Sequence, residues 1–193
     1  MSTDKNAPIG IFDSGIGGLT VVKEVMQRLP NESIVYFGDT ARLPYGSKSI
    51  SSIKRFSLEI ASFLVTRDVK AILIACNSAS AAALETLQAA CPIPVLGVVE
   101  TGAKCAVNAT KNGKIGVIGT KATIRTDAHK KIINLLNPEA EVFTKACPLF
   151  VPVIEEGMLD SPITHEIIKK YLQPLKDQGI DTLILGCTHY PLL

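Results

Sequence analysis

Apolar residues along this chain fall into two alternating periods. Short apolar runs read as strands at Ile9–Phe12, Ser33–Phe37, Ala71–Ala75, Val95–Val98, Ile115–Ile118, Glu141–Phe143 and Thr182–Leu185. Between them lie stretches with helical spacing, at about Gly18–Leu29, Ser49–Arg67, Ala79–Ala90, Glu100–Ala109, Ala122–Leu136 and Pro162–Leu175. The stretch Ile50, Ile53, Lys54, Phe56, Ser57, Ile60, Ala61, Leu64 keeps apolar residues at the i, i+3, i+4 spacing of an amphipathic helix. Strands that alternate with helices imply βαβ units and a mainly parallel sheet.

The series starts again near Gly97–Gly102. Lys114–Thr120 resembles Pro8–Ser14, each run ending in a small hydroxyl residue where strand gives way to loop. Val69–Ser78 and Ile180–His189 align without a gap, with a small residue and then a cysteine at the end of each. Two internal similarities in the same order indicate two pseudo-symmetric α/β lobes, residues 1–98 and 99–193, related by a pseudo-two-fold axis. Each is expected to be a mainly parallel sheet flanked by helices. Ligands of open α/β sheets bind beyond the carboxyl ends of the strands, so the active site is expected in the cleft between the lobes.

Composition narrows the class. The chain has 193 residues, enough to bury a substantial core, with 47% hydrophobic and 20% charged residues, which excludes disorder. A net charge of +2 without a basic block predicts no nucleic-acid partner. The polar N-terminus MSTDKNAPIG has no signal-peptide pattern, and the apolar runs are too short to span a bilayer, so no membrane association is expected. Five cysteines with no CxxC pair favour reduced thiols and a cytoplasmic location.

The candidate chemistry lies at strand ends. Cys76 and Cys187 each close a strand-like run and precede polar residues, Asn77-Ser78 and Thr188-His189. A free cysteine is often only a small buried hydrophobe. The duplicated placement argues otherwise: two thiols facing each other across a cleft suit removal of a proton from one side of a carbon and its return to the other. A helix capped by Ser78 or Thr188 would favour thiolate through its dipole. Cys91 and Cys147, each before a proline, and Cys105, in an apolar helix, read as packing residues. His189 neighbours a candidate thiol and is a candidate relay, whereas His129 and His165 sit among charges and read as solvated. No Cys/His spacing suggests a metal. Asp13-Ser14-Gly15-Ile16-Gly17-Gly18 combines a carboxylate with a glycine-rich turn on the ligand side of a strand, but without nucleotide-binding spacing. The loop holding Tyr45 and Gly46 is a turn by composition and a substrate loop by position. Glu155 has no special status from its surroundings alone.

Taken together, FDSGIGG (Phe12–Gly18), GDTARLPYG (Gly38–Gly46), ACNSAS (Ala75–Ser80), PVIEEG (Pro152–Gly157) and GCTHYP (Gly186–Pro191) closely resemble glutamate racemase, a family of the cofactor-independent aspartate/glutamate racemase superfamily. The likeness runs in order along essentially the whole chain. It implies two pseudo-symmetric α/β lobes with the substrate between them. The implied reaction is reversible, cofactor-free conversion of L-glutamate to D-glutamate for peptidoglycan. Cys76 and Cys187 are implied as the acid/base pair, Asp13 assisting the first, Glu155 and His189 the second, with Asp39 a further carboxylate. Implied substrate contacts are Asp13, Ser14, Pro44, Tyr45, Gly46, Asn77, Ser78, Thr120, Thr188 and His189. The family suggests Cys187 for the L enantiomer and Cys76 for the D enantiomer.

Ser78 stands where the family commonly has threonine, keeping the hydroxyl and losing a methyl. The sequence stops at Leu193, just after GCTHYP, whereas family members continue for several tens of residues in a tail that completes the first lobe. That lobe is therefore expected to be incomplete. Competing functional readings are a related aspartate racemase and a non-catalytic protein that clamps a small dicarboxylate; a thiol redox protein is disfavoured without CxxC. A small-molecule substrate, glutamate, is the expected partner, and the motifs neither require nor forbid a homodimer.

Overall fold

The computed structural model describes residues 4–193; the first three residues of the polar N-terminal stretch lie outside the described residues. The chain divides into two compact units, Met1–Val98 and Val99–Leu193. The first carries β1 (Ile9–Asp13), α1 (Leu19–Arg28), β2 (Ile34–Gly38), α2 (Ile50–Val65), β3 (Ala71–Ile74), α3 (Asn77–Ala90) and β4 (Val95–Gly97). All its strand pairs are parallel, in the order β2-β1-β3-β4. The second carries α4 (Val98–Ala109), β5 (Lys114–Gly119), α5 (Lys121–Arg125), α6 (Ala128–Leu136), β6 (Glu141–Ala146), α7 (Phe150–Glu155), α8 (Pro162–Lys176) and β7 (Thr182–Gly186). Its sheet is also parallel, in the order β6-β5-β7. Two parallel-sheet α/β lobes flanked by helices are therefore present, as the alternating periods predict.

The internal similarities have a topological counterpart. β1 and β5 are the central strands, β2 and β6 flank them on one side, and β3 and β7 on the other. β1 has its last four residues buried and β5 its last five, which explains their unbroken apolar character. Helix α2 starts where Ser49 accepts a hydrogen bond from the Ser52 N–H at 3.1 Å, a cap worth about 1 kcal/mol. It then buries Ile53, Phe56, Ser57, Ile60, Ala61 and Leu64. In the second unit, Ile115, Val117, Ile133, Ile184, Ala103 and Ala106 form one apolar cluster. Removing a side chain such as Ile133 from it would cost about 2–5 kcal/mol.

Several expectations need correction. The helix expected over 122–136 is two helices, α5 and α6, separated at Thr126–Asp127, where Asp127 has φ of 55°. Val98 opens α4 rather than ending β4. β6 runs on to Ala146, because its Thr144 and Lys145 sit on a sheet edge that tolerates polar residues. Phe150–Glu155, which lies outside the elements read from the sequence, is also helical; Pro152 lies in the first turn, where its missing N–H costs nothing, and Gly157, at φ of 67°, ends it. Cys105 is exposed, since the buried face of α4 runs through Val99, Ala103 and Ala106. His129 is buried at 3% exposure, one helical turn from Ile133, so the helical period overrides its lysine neighbours. His165 is exposed as expected.

At the amino ends of the strands, charged clasps tie the loops together. The Asp181 carboxylate accepts from the Thr110 hydroxyl (2.6 Å) and from the N–H groups of Lys111 (2.7 Å) and Asn112 (2.9 Å). These donors hold its pKa well below the usual carboxylate range. At the matching position of the first unit, Lys70 pairs with Glu32 and donates to the Lys5 carbonyl at 2.6 Å.

Burial lowers the His129 pKa to about 4 from an ordinary 6.5. The unfolded chain therefore binds the proton first as pH falls, and the stability gained from a neutral folded His129 is complete above about 6.5 and lost toward about 4. We expect His129→Gln to remove part of the fall in urea midpoint between pH 7 and pH 4.5, with the wild type falling more steeply.

Candidate active site

In the first unit the ladder between β1 and β3 pairs Phe12 with Ile74, and the Ala75 N–H donates to the Phe12 carbonyl at 2.9 Å. This carries Cys76, at the N-cap of α3, to the same sheet end as Asp13. Asp13 is fully buried, and its carboxylate accepts from the Gly15 N–H at 3.0 Å. Cys76 is 5% exposed, with its Sγ 3.6 Å from the Ser14 hydroxyl. Burial pushes its thiol up to about 12, and the Asp13 anion adds to that. N–H donation from Ala79 and the donors of Ser14 oppose the rise. The pull of a helix N-terminus toward thiolate is thus outweighed by desolvation and a neighbouring carboxylate.

The Gly38–Gly46 loop begins beside Asp13, with the Asp39 N–H donating to the Asp13 carbonyl at 3.0 Å. Asp39 is 4% exposed and accepts from the Tyr45 hydroxyl and from Arg42 Nε (2.7 Å). Tyr45 is buried, its hydroxyl engaged by Asp39; Pro44, after a cis peptide bond, is exposed, and Gly46 is half-buried. Asn77, half-buried, is the first residue of α3, and Ser78 is buried behind it.

In the second unit β5 pairs Gly119 with Gly186, and Cys187 follows at the end of β7. Gly186 is required there: a Cβ would lie 2.5 Å from the Ile118 carbonyl oxygen. Cys187 packs with Ile118, Cys147, Phe150, Leu175 and Tyr190. Its Sγ is 3.9 Å from His189 Nδ1, and Thr188 Oγ1 is 3.5 Å from that same nitrogen. His189 Nε2 lies 3.2 Å from the Glu155 carboxylate at the end of α7. With the Nε2 proton donated to Glu155, Nδ1 is left as an acceptor toward the Cys187 thiol. Thr120 caps α5 by accepting from the Thr123 N–H at 3.2 Å.

The structure thus brings Asp13, Ser14 and Cys76 together in one unit, and Glu155, Cys187, Thr188 and His189 in the other. Tyr36 and Arg42 were not singled out in the sequence. The Tyr36 hydroxyl donates to the Gly15 carbonyl at 2.6 Å and so braces the Asp13–Gly18 turn. A tyrosine within an otherwise apolar strand needs a partner for its hydroxyl, which is the signal that could have found it. Arg42 stands three residues from Asp39, a spacing that could have suggested their pairing. Of the cysteines read as packing residues, Cys147 is buried, and burial pushes its thiol up to about 12. Among the described residues, no group of three His, Cys, Asp or Glu is arranged to hold a metal, and no helix is long and apolar enough to cross a membrane.

The family model for Asp/Glu/Hydantoin racemase matches residues 18–193. A glutamate racemase of Geobacter metallireducens is 59% identical over 185 residues, which cover 96% of this chain and 68% of that protein. The chain belongs to the Asp/Glu/Hydantoin racemase family, among its glutamate racemases. It is therefore an amino-acid racemase, an isomerase. The crystal structure of a glutamate racemase isoform from Bacillus anthracis superposes with a TM-score of 0.95 at 46% identity, covering 98% of this chain and 71% of that one. The glutamate racemase of Francisella tularensis, solved in complex with D-glutamate, gives 0.92 at 49% identity, covering 97% and 70%.

Because Asp13 stands second to burial in raising the Cys76 pKa, Asp13→Asn should lower it. Alkylation by iodoacetamide followed over pH checks this: Cys76 should react at lower pH in the variant, while exposed Cys105 is unchanged.

Proposed function

We propose that this racemase interconverts L- and D-glutamate by a two-base mechanism in which Cys76 and Cys187 exchange protons with opposite faces of the α-carbon. The observation that carries this reading is the equivalent placement of the two thiols. Each follows the strand that flanks the central strand on the same side of its sheet, β3 in one unit and β7 in the other. The Francisella relative binds D-glutamate, and an Escherichia coli glutamate racemase, 29% identical, was solved with L-glutamate; we extend both substrates to this chain.

The α-proton of an amino acid is weakly acidic, so abstraction needs a thiolate on one face and a proton donor on the other. Two fixed bases avoid the need for one base to reach both faces. Cys76, held as a neutral thiol by burial and Asp13, suits donation at rest. Cys187 has an acceptor beside it in His189 Nδ1, with Glu155 holding the ring, an arrangement that can take the thiol proton and leave a thiolate to act as base. When the reaction runs in the other direction the two roles reverse. Ser14, Asn77, Ser78, Thr120 and Thr188, with the backbone of Pro44, Tyr45 and Gly46, supply donors and acceptors for the substrate carboxylates and ammonium. The chemistry as proposed uses no cofactor. The product would supply peptidoglycan synthesis, and the location would be the cytoplasm.

The test is α-proton exchange in D₂O from each enantiomer, alongside racemisation followed by circular dichroism. Cys76→Ala and Cys187→Ala should each reduce racemisation by about 10²–10⁴-fold. Undiminished racemisation in either variant would overturn the assignment, and turnover of L-aspartate matching that of L-glutamate would move the substrate to aspartate.

A further inference from the structure

The carboxylate of Asp39 is committed twice on one oxygen. Oδ2 accepts from Arg42 Nε at 2.7 Å and also from the Tyr45 hydroxyl. Arg42 reaches on to Glu59 of α2, and its guanidinium lies 4.4 Å over the Phe56 ring. Phe56 sits 5.8 Å from the Tyr45 ring, and Arg55 lies 5.0 Å over its ring as well. Asp39, Arg42, Tyr45, Phe56 and Glu59 are thus one connected cluster between the β2–α2 loop and α2.

We propose that Arg42 is a positioning residue for the reaction: it clamps Asp39 as a fixed acceptor for Tyr45, so that Asp39 anchors the Pro44–Gly46 segment rather than relaying protons. The inference rests on the reading of that segment as part of the glutamate site. A carboxylate buried to this degree needs a paired cation and hydrogen-bond donors to stay charged. Arg42 supplies the charge, and its planar fork meets Asp39 and Glu59 at once, which a lysine ammonium does not reproduce. The Phe56 ring holds the guanidinium from below and packs against Tyr45, so displacement of the arginine reaches the tyrosine through both partners. Asp39 in turn donates its N–H to the Asp13 carbonyl, linking the loop to the strand that carries the Cys76 neighbour.

The test uses the full chain with Arg42→Gln, Arg42→Lys, Glu59→Gln and Asp39→Asn. For Arg42→Gln we expect KM for both glutamate enantiomers, and the dissociation constant by calorimetry, to rise about tenfold while kcat stays within about threefold. Arg42→Lys should recover part of the loss, and Glu59→Gln, on a half-exposed side chain, should lose only about two- to threefold. Asp39→Asn keeps an accepting oxygen and should retain kcat within a few fold. A second readout is independent of activity: absorbance at 295 nm follows the chain's four tyrosines. Burial, and then the bond to Asp39, hold Tyr45 above the ordinary range in the wild type. The Arg42 cation opposes that rise, so it is Asp39→Asn, which removes the carboxylate, that should bring the Tyr45 phenol to titrate at lower pH. Tyr171 and Tyr190, in the second unit, report any general loosening. An unchanged KM in Arg42→Gln overturns the proposal, as does an unchanged Tyr45 titration or a hundredfold fall of kcat in Asp39→Asn. If the wild type neither binds glutamate nor exchanges its α-proton, the glutamate reading fails, and the Tyr45 titration still judges the clamp.

Discussion

The parallel ladder on each central strand is the constraint from which the candidate site follows. β1 pairs with β2 and β3, so Asp13 at its end meets Gly38 in register, and Cys76 arrives two residues beyond the Phe12–Ile74 pair. β5 does the same for the second unit, bringing Gly119 opposite Ala146 and Gly186. A shift of one residue in either ladder would turn each flanking side chain to the opposite face. The chemistry-bearing residues therefore inherit their positions from backbone pairing before any side-chain contact is made.

The two units use this shared plan with different surroundings. Cys76 sits in a dry corner beside an anion, with hydroxyl and N–H donors around it. Cys187 faces an imidazole braced by a partly exposed carboxylate. The correspondence extends to the other flank. Asp39 follows β2 and donates its N–H to the last residue of β1, and Cys147 follows β6 and donates its N–H to the last residue of β5. One position thus carries a charged anchor in the first unit and an apolar thiol in the second. The backbone plan is held in common, while the electrostatics are not.

Much of the fold was legible because period and burial agree. The runs at Ile9, Ala71, Ile115 and Thr182 are strands, and α2 buries the face its spacing marks. Where local appearance and three-dimensional context part, reading along the chain fails. No element was read over Phe150–Ile154, yet a short helix there brings Glu155 to His189, a relation across more than thirty residues that no local pattern encodes. His129 was hidden by its lysine neighbours, although its spacing to Ile133 pointed inward. The cysteines, Asp13 and the glycine-rich turn stood out because strand-end positions and duplication are visible in one dimension. Tyr36 and Arg42 act by bracing backbone and loop, and bracing leaves only a faint trace in a sequence.

Each sheet also has a direction, because every strand in it runs the same way. In the first unit the carboxyl ends carry Asp13 and Cys76 and the amino ends the Lys70 clasp; in the second the carboxyl ends carry Cys187 and the amino ends the Asp181 clasp. Each sheet is therefore polarised along its own strands into a candidate-site end and a fastening pole. Substitutions that strengthen or weaken the fastening pole act a full strand length away from the thiols, so durability and chemistry can drift separately under selection. A lineage adapting to heat or acid has one end of each sheet open to revision while the other stays as it is.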